Sequence, residues 1–224
     1  MRLERSMPRF PDTTKEMPVV PPRGEAPPHF AGASFDVVGI AASAGGLSAI
    51  LHLVRNLPSS FPAALVAVQH LDPRHRSLMA QILSRSASLA VKEAAAGDRL
   101  APGTMFVAPP NWHLLVNCDA RLSLSQSELV HFLRPSADLM LESLAFSYRE
   151  RAVAVVLTGT GSDGAMGVRA IKKMGGTVIV QDRSSSEFFG MPGAAIETGD
   201  VDVVLPLEEI PAALVALVTE KEPA

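Results

Sequence analysis

Cysteine is nearly absent from the sequence, since Cys118 is the only one in 224 residues. A single thiol can neither form an internal disulfide nor supply a cysteine-based zinc site, so neither is predicted. Long hydrophobic runs are also lacking. No stretch of about 18 uncharged apolar residues occurs, so no transmembrane helix is predicted. The first residues, MRLERSMPRF, have no apolar core behind their basic side chains, and a secretory signal is therefore not predicted either.

An excess of charge of one sign is missing as well. Twenty Lys and Arg residues face 23 Asp and Glu residues, which gives a formal net charge of −3. The basic residues form no block, so nucleic acid is a poor candidate partner. With 47% hydrophobic residues, the chain can build the core of one large domain. These features predict a cytoplasmic protein without membrane insertion and without a nucleic-acid partner.

The N-terminal region differs from the rest of the chain. Residues 1–34 contain seven of the 18 prolines and show no apolar periodicity. Proline at this density blocks both helices and sheet ladders. We therefore predict a flexible, proline-rich tail over residues 1–34 and a folded catalytic domain over residues 35–220.

The folded region alternates short apolar runs with amphipathic segments. Strands are predicted at residues 35–42, 63–69, 152–158, 177–181 and 201–205, and helices at 47–54, 77–86, 136–148, 164–176 and 207–218. Strands that are apolar throughout and alternate with helices are typical of a parallel sheet covered on both faces. Short strand-like pieces between residues 91 and 133 add a β-hairpin. The predicted fold is a three-layer, doubly wound α/β domain with a mostly parallel sheet and an added hairpin.

Three predicted loops carry reactive side chains at the carboxyl ends of strands, where ligands bind in such sheets. The first is AASAGG, in which small residues surround Ser43. This pattern is close to a nucleophile elbow, a sharp strand-to-helix turn that exposes a serine hydroxyl. The alternatives are that Ser43 caps the following helix or that the loop holds a phosphate.

The second and third loops supply a histidine and an aspartate. His70 follows the strand at residues 63–69 and could act as a general base near neutral pH, or could be a structural hydrogen-bonding residue. Asp163 lies in VLTGTGSDGAMG, at a strand-to-helix turn, where it could orient a histidine ring and stabilise its charged form.

The same glycine-rich loop also matches a dinucleotide-binding fingerprint. Gly159, Gly161 and Gly164 have the required spacing, and a later strand ends in Asp182, where a ribose-binding acid would stand. The glycines alone leave both hypotheses open. Acyl transfer uses all three loops and needs no cofactor, whereas nucleotide binding uses one. The chain order Ser…His…Asp differs from that of the α/β-hydrolases, but geometry rather than order defines a triad.

Several motifs together resemble one known family. GIAASAGG, VQHLDPRHRSL, LTGTGSDGAMG and EFFGMPGAAIETGDVDVVLP are similar to the catalytic domain of chemotaxis protein-glutamate methylesterases, the CheB family. The resemblance extends over about residues 36–218. A non-catalytic module with this fold would be favoured by loss of a triad residue, and all three are present.

The resemblance implies a specific reaction and site. Family members hydrolyse glutamate methyl esters on the cytoplasmic helices of chemoreceptors, and many deamidate receptor glutamines. Their nucleophile, general base and orienting acid correspond to Ser43, His70 and Asp163, and no cofactor or metal is implied. Members usually carry a phosphorylatable receiver domain before the esterase, where this chain has only the tail. We therefore expect the catalytic domain alone, acting beside a separate response regulator or receptor methyltransferase.

A few other residues invite functional interpretations. Trp112 and His113 could line the substrate cleft or form a half-buried turn. Met191 and Pro192 are expected in a strand-end loop on the active side. His70, Asp72, His75 and His113 could be imagined as metal ligands, but their spacing around Pro73 disfavours this.

Overall fold

The computed structural model describes residues 27–70 and 77–219. The strands are β1 (Val37–Ala42), β2 (Ala64–Gln69), β3 (Ala90–Glu93), β4 (Thr104–Val107), β5 (His113–Val116), β6 (Leu122–Ser125), β7 (Ala152–Val156), β8 (Thr177–Gln181) and β9 (Val203–Leu205). The helices are α1 (Gly46–Arg55), α2 (Met79–Ser84), α3 (Ala137–Tyr148), α4 (Ala165–Lys173), α5 (Gly190–Glu197) and α6 (Ile210–Val218). None of the helices in these two stretches is long and apolar enough to cross a membrane.

Seven strands form one sheet in the order β3-β4-β2-β1-β7-β8-β9, and all the strand pairings within it are parallel. The sequences VVGIAA of β1, ALVAVQ of β2 and AVAVV of β7 are buried at every position. Such strands have no polar face to offer to water, so both faces of the sheet must be covered. The doubly wound α/β fold predicted from the sequence is confirmed.

Alternate residues of each strand contribute to two separate cores. One core packs α3, α4, α5 and the β5–β6 hairpin against one face of the sheet. The other packs α1, α2 and α6 against the opposite face. The molecule therefore has three layers, as predicted. Gly39 in β1 lets α3 approach closely, because a Cβ there would lie 2.7 Å from a methyl group of Leu141.

The middle of the chain is divided differently from the prediction. The added hairpin is β5 paired with β6 in antiparallel register, from His113↔Ser125 to Val116↔Leu122. The segment TMFV, residues 104–107, does not belong to this hairpin. It forms β4, which pairs in parallel with β2 and extends the main sheet towards β3. A four-residue apolar run has the same local signature in a hairpin and in a buried parallel strand, so periodicity could not separate the two.

The structure also differs from the sequence expectations at residues 191–192 and at the start of the folded region. Met191 and Pro192 do not lie in a loop but in the first turn of α5. Proline is tolerated there because first-turn N–H groups have no partner within the helix. The packed part of the chain also begins before residue 35, since Ala33 is fully buried and the carbonyl of Pro27 accepts a hydrogen bond from Arg151. The flexible tail stays a prediction for residues 1–26, which lie outside the described residues.

The sheet has one switch point, between β1 and β7. From β1 the chain passes outward to β2 and on to the edge strand β3, and it comes back to β4, which lies between β2 and β3. The other half of the sheet starts at β7, on the opposite side of β1. Ligands of open α/β sheets bind outside the carboxyl ends of the strands at such a point. The loops that follow β1, β2 and β7 therefore define the candidate site.

Candidate active site

The three residues singled out in the sequence follow three adjacent strands. Ser43 directly follows β1, His70 directly follows β2, and Asp163 lies in the loop between β7 and α4. In the sheet these strands stand in the order β2-β1-β7. Ala42 pairs with Gln69 in register, so Ser43 and His70 are the next residues on neighbouring strands. Parallel register thus brings the serine and the histidine side by side.

Ser43 begins a tight strand-to-helix turn. The N–H of Gly46 donates to the carbonyl of Ser43 at 2.8 Å, and Gly45 has φ 76° and ψ −8°. These are the values of the third position of a type II turn, which favours glycine. The tight strand-to-helix turn inferred from the small residues around Ser43 is therefore present, with its positive φ at Gly45 rather than at the serine. Gly159 permits a close approach from the other side, because a Cβ there would lie 2.8 Å from the Cβ of Ser43.

His70 is held by one of its ring nitrogens. Its Nε2 lies 2.8 Å from Oδ2 of Asp163, and only 11% of the side chain is exposed. The other nitrogen, Nδ1, has no hydrogen-bond partner among residues 27–70 and 77–219, and neither has the Ser43 hydroxyl. The structure therefore joins His70 to Asp163 directly, whereas Ser43 is brought alongside without a hydrogen bond to the ring. Such bonds commonly tighten only when substrate is bound.

Asp163 is almost completely buried and fully hydrogen-bonded. Its Oδ2 accepts from His70 and from the N–H of Ala137 at 2.6 Å, and its Oδ1 accepts from the hydroxyl of Ser136 at 2.9 Å and the N–H of Asp138 at 3.0 Å. Burial alone would raise the pKa of Asp163, but the bonds from His70 and the two N–H groups hold that pKa below its ordinary value. The carboxylate therefore stays charged and can stabilise a protonated His70 ring.

A longer hydrogen-bonded chain leads to Asp163 from the hairpin. The Nε2–H of His113 donates to the carbonyl of Glu128 at 3.1 Å, and its Nδ1 accepts from the N–H of Ser136 at 3.1 Å. His113 is fully buried, and burial lowers its pKa, so it is a neutral structural residue and not part of the cleft wall. Trp112, the other residue considered for the cleft, is partly exposed.

Two N–H groups that the nucleotide-binding hypothesis would offer to a phosphate are already bonded within the protein. The N–H groups of Gly164 and Gly167 at the start of α4 already donate to Oδ1 of Asp138, at 2.8 and 2.9 Å. These two groups are therefore not free to bind a phosphate at the start of α4. Asp182, the candidate ribose acid, accepts from Ser185 in its own loop. Gly161 and Gly164 are instead explained by positive φ values of 81° and 104°.

Three residues that sequence analysis left without a role hold the site together. Thr158 accepts at its carbonyl from the N–H of Ser43, at 3.1 Å, and its hydroxyl accepts from the N–H of Phe188, at 2.8 Å. Gln69 donates from Nε2 to the carbonyl of Ser43 at 2.6 Å. The hydroxyl of Ser136, at the start of a predicted helix, donates to Asp163 across 27 positions of the chain. No local pattern signals such contacts.

No metal centre is found in the described stretches, where no group of three or more His, Cys, Asp or Glu side chains could hold an ion. Asp72 and His75, two of the disfavoured metal ligands, lie outside the described residues. His113 was another of the disfavoured metal ligands, and both of its ring nitrogens are hydrogen-bonded to main-chain groups of the protein.

The lowered pKa of Asp163 leads to a prediction about the stability of the folded protein at low pH. A carboxylate whose pKa is lower in the folded state stabilises the fold above its unfolded pKa of about 3.9, and this contribution is lost as the pH falls through the folded pKa. We expect the free energy of unfolding of the wild type to fall more steeply below about pH 4 than that of Asp163→Asn. Urea unfolding followed by circular dichroism across this range measures the slopes. Asp119→Asn, at an exposed carboxylate, should keep the wild-type slope; equal slopes for Asp163→Asn and the wild type would contradict the assignment.

The fold and the site define a class of protein, the doubly wound α/β proteins that carry a serine, a histidine and an aspartate at the switch point of a parallel sheet. Comparison with known proteins narrows this class. The sequence profile of the CheB methylesterase family matches residues 38–214. The chain belongs to this family.

Solved and curated relatives agree with that assignment. The crystal structure of the Thermotoga maritima CheB methylesterase catalytic domain superposes with a TM-score of 0.80 at 38% identity, and the match covers 83% of this chain and all of that one. A protein-glutamate methylesterase/protein-glutamine glutaminase of Moorella thermoacetica is 43% identical over 188 residues. The protein-glutamate methylesterase FrzG of Myxococcus xanthus is 41% identical over 180 residues.

The match covers different shares of these relatives. It spans 82% of this chain but only 44% of the Moorella protein, and 80% of this chain but 54% of the Myxococcus protein. A putative protein-glutamate methylesterase/protein-glutamine glutaminase of Leptospira interrogans is matched over 92% of its length, at 39% identity. The chain thus spans about half the length of the Moorella and Myxococcus relatives and most of the length of the Leptospira relative.

Proposed function

We propose that this chain is a protein-glutamate methylesterase that uses Ser43 as nucleophile, His70 as general base and Asp163 as orienting acid. The observation that carries the proposal is the 2.8 Å contact between His70 Nε2 and the buried Asp163 carboxylate, beside Ser43 at the switch point of the sheet. The methylesterase activity for which the relatives described above are named supports the same reaction. Residues 35–220, together with the packed segment before them, are proposed as the catalytic domain.

The reaction follows from the groups present. Nδ1 of His70 takes the hydroxyl proton as Ser43 Oγ attacks the ester carbonyl carbon, and Asp163 stabilises the resulting imidazolium. The imidazolium gives its proton to the departing methoxy oxygen, so methanol leaves and an acyl-enzyme forms. Water, deprotonated by the same nitrogen, then attacks the acyl carbon and releases Ser43 and the glutamate carboxylate. With a glutamine side chain, ammonia leaves in place of methanol.

The oxyanion requires donors near Ser43. The turn at residues 44–46 is the proposed source, and its N–H groups do not contribute equally. The N–H of Gly46 is already bonded to the carbonyl of Ser43. The N–H groups of Ala44 and Gly45 have no acceptor among the described residues, which leaves them available to a developing negative charge. One preorganised donor of this kind is typically worth about 100- to 1000-fold in kcat.

The proposed substrate is a methylated helix of a chemoreceptor. Four large apolar side chains at the carboxyl edge of the sheet are exposed and could contact it: Trp112, Phe132, Met166 and Phe188. Phe132 is the most exposed of them, at 92%, in the loop that leads into Ser136 and α3. A separate response regulator or receptor methyltransferase as partner is supported by the family resemblance alone.

Phe132 offers a test of this contact surface. We expect Phe132→Ala to raise KM for a methylated receptor about 5-fold or more while kcat changes little, because truncating an anchor weakens binding and leaves the reacting groups in place. Phe146→Ala is the matched control, since Phe146 is also exposed but lies near the far end of α3. Initial rates of methanol release at several receptor concentrations separate the two constants. An unchanged KM, or an equal rise in the control, would remove Phe132 from the substrate surface.

The function itself is tested by methanol release from membranes bearing methylated chemoreceptors. Release by the wild type and not by Ser43→Ala would support the proposed reaction and its nucleophile. If neither released methanol, Ser43-dependent hydrolysis of p-nitrophenyl acetate would keep the hydrolase and reject the receptor as substrate. Absence of both activities would contradict the proposal. Ammonia release from receptors with unmodified glutamines tests the deamidase activity in the same way.

A further inference from the structure

The starts of α3 and α4 face each other, and each helix is capped by a carboxylate from the other. Asp163, just before α4, accepts from the N–H groups of Ala137 and Asp138 in the first turn of α3. Asp138 in turn accepts from the N–H groups of Gly164 and Gly167 in the first turn of α4. First-turn N–H groups need an acceptor from outside their own helix. The exchange therefore satisfies both helix starts at once.

The need for Asp138 follows from the backbone of α4. The N-cap of this helix is Gly164, which has φ 104° and no side chain to offer an acceptor. A residue with a capping side chain would be strained at that φ value. The cap therefore has to come from another part of the chain, and Asp138 supplies it from α3. By comparison, α3 has a cap of its own in the Ser136 hydroxyl, which accepts from the N–H of Leu139 at 3.4 Å.

Burial of the Asp138 carboxylate costs free energy, which indicates that its hydrogen bonds with Gly164 and Gly167 are important. Asp138 is only 4% exposed. Burial, together with the neighbouring Asp163 charge, raises the pKa of Asp138, while the bonds from Gly167 and Gly164 act in the opposite direction. Two buried carboxylates side by side repel each other, and fixed N–H donors are what make such an arrangement tolerable. Other titratable groups around this pair are His70, which is bonded to Asp163, and Glu142 and His113.

Of the two hydrogen bonds that Asp138 accepts, the one from Gly164 acts on the main chain next to Asp163. The nitrogen of Gly164 is joined to the carbonyl carbon of Asp163 in a single peptide group, so the 2.8 Å bond to Asp138 holds the main chain of Asp163 itself. The side chain of Asp163 then contacts His70 Nε2. A shift of this peptide group would move the carboxylate and with it the imidazole ring. The path from Asp138 to the base is thus one hydrogen bond, one residue and a second hydrogen bond.

We propose that Asp138 is a positioning residue for the hydrolysis, which fixes Asp163 through the first turn of α4 and so holds His70 in its working orientation. This inference rests on the hydrolytic function proposed above. Asp138 touches no reacting atom, and its effect passes through Asp163. Errors of about 1 Å in the placement of catalytic groups can cost about 100-fold in rate.

Alanine and asparagine at position 138 separate positioning from charge. Asp138→Ala removes the acceptor, and we expect kcat to fall about 10- to 100-fold with KM little changed. Asp138→Asn keeps an oxygen acceptor for Gly164 and Gly167 and removes only the charge, so it should retain most of kcat. Asp202→Ala is the matched control, because Asp202 also accepts from a backbone N–H, that of Val178, on a different part of the sheet. It should lose stability without loss of kcat.

A readout independent of turnover is the proton on His70 Nε2. A ring N–H bonded to a buried carboxylate gives a downfield proton resonance, which the variant His70→Ala assigns by its loss. We expect this resonance to persist in Asp138→Asn and in Asp202→Ala, and to shift upfield or vanish in Asp138→Ala, at temperatures where all variants are folded by circular dichroism. Its loss in Asp138→Ala supports the positioning of His70 even if the wild type hydrolysed no ester, an outcome that would overturn only the proposed function.

Three results would overturn the inference. The first is that Asp138→Ala has the same kcat as the wild type and an unchanged resonance of the His70 Nε2 proton. The second is an asparagine variant as slow as the alanine variant, since the acceptor would then be irrelevant. The third is an equal loss of kcat in Asp202→Ala, since general destabilisation would then explain the effect.

Discussion

Replacing Ser43 by alanine should lower kcat for ester hydrolysis by at least about 10,000-fold, because no acyl-enzyme can form without the hydroxyl. The fold should be unaffected. The hydroxyl of Ser43 makes no hydrogen bond within the described residues, and the turn that carries it is held by main-chain groups, such as the N–H of Gly46 on the Ser43 carbonyl. Methanol release measures the loss, and thermal unfolding checks that the variant is folded.

Ser48→Ala is the matched control for this result. Ser48 is an exposed serine on α1, five residues further along the chain, and lies outside the turn. Its replacement should leave kcat and KM unchanged. Residual activity in Ser43→Ala within 10-fold of the wild type would be incompatible with a serine nucleophile at this position.

Replacing Asp163 by asparagine should lower kcat by about 10,000-fold, and it should also destabilise the protein. Each oxygen of Asp163 faces one backbone N–H, from Ala137 or from Asp138. The amide nitrogen of asparagine is a donor, so either orientation sets it against one of these donors. If it takes the place of Oδ2, it donates to His70 Nε2 and leaves the proton on Nδ1, where the ring can no longer accept the proton of Ser43.

The measurement pairs kcat with the free energy of unfolding. Asp182→Asn is a suitable control, because the Asp182 carboxylate also accepts from a backbone N–H in a strand-end loop, and its hydrogen bonds within the described residues are to Ser184 and Ser185 of that loop. It should keep its activity. A full retention of kcat in Asp163→Asn would show that the charge and tautomer of His70 do not depend on Asp163, and would remove Asp163 from the proposed mechanism.

Sequence patterns predicted the fold well because the fold depends on local features, and the three candidate residues that they singled out follow adjacent strands in the structure. Strands β1 and β7 are apolar throughout, β2 is apolar up to Gln69, and the small residues around Ser43 indicate a tight turn. The helix α5 was missed because Pro192 and two glycines resemble a loop signal, although proline fits the first turn of a helix. β4 was placed in the hairpin because four apolar residues carry no information about their partner strand.

The contacts around Asp163 could not be predicted for a different reason. Ser136 and Asp138 read from sequence as the cap and first turn of an ordinary helix, and that is all that local spacing shows. Their second role depends on how α3 packs against α4, which joins residues 25 to 29 positions apart. His113 could not be assigned either, since its burial follows from the docking of the hairpin on α3.

The central place of β1 also bears on how the protein folds. β1 pairs with β2 on one side and with β7 on the other, and the His70–Asp163 contact joins residues 93 positions apart in the chain. The entropy cost of closing so long a loop is incurred before the stabilising contact forms, so sheets of this kind form slowly. A nascent chain that has emerged only as far as α3 holds Ser43 and His70 but not yet the acid. We therefore expect the complete site to form late in folding, and partly folded chains to lack it.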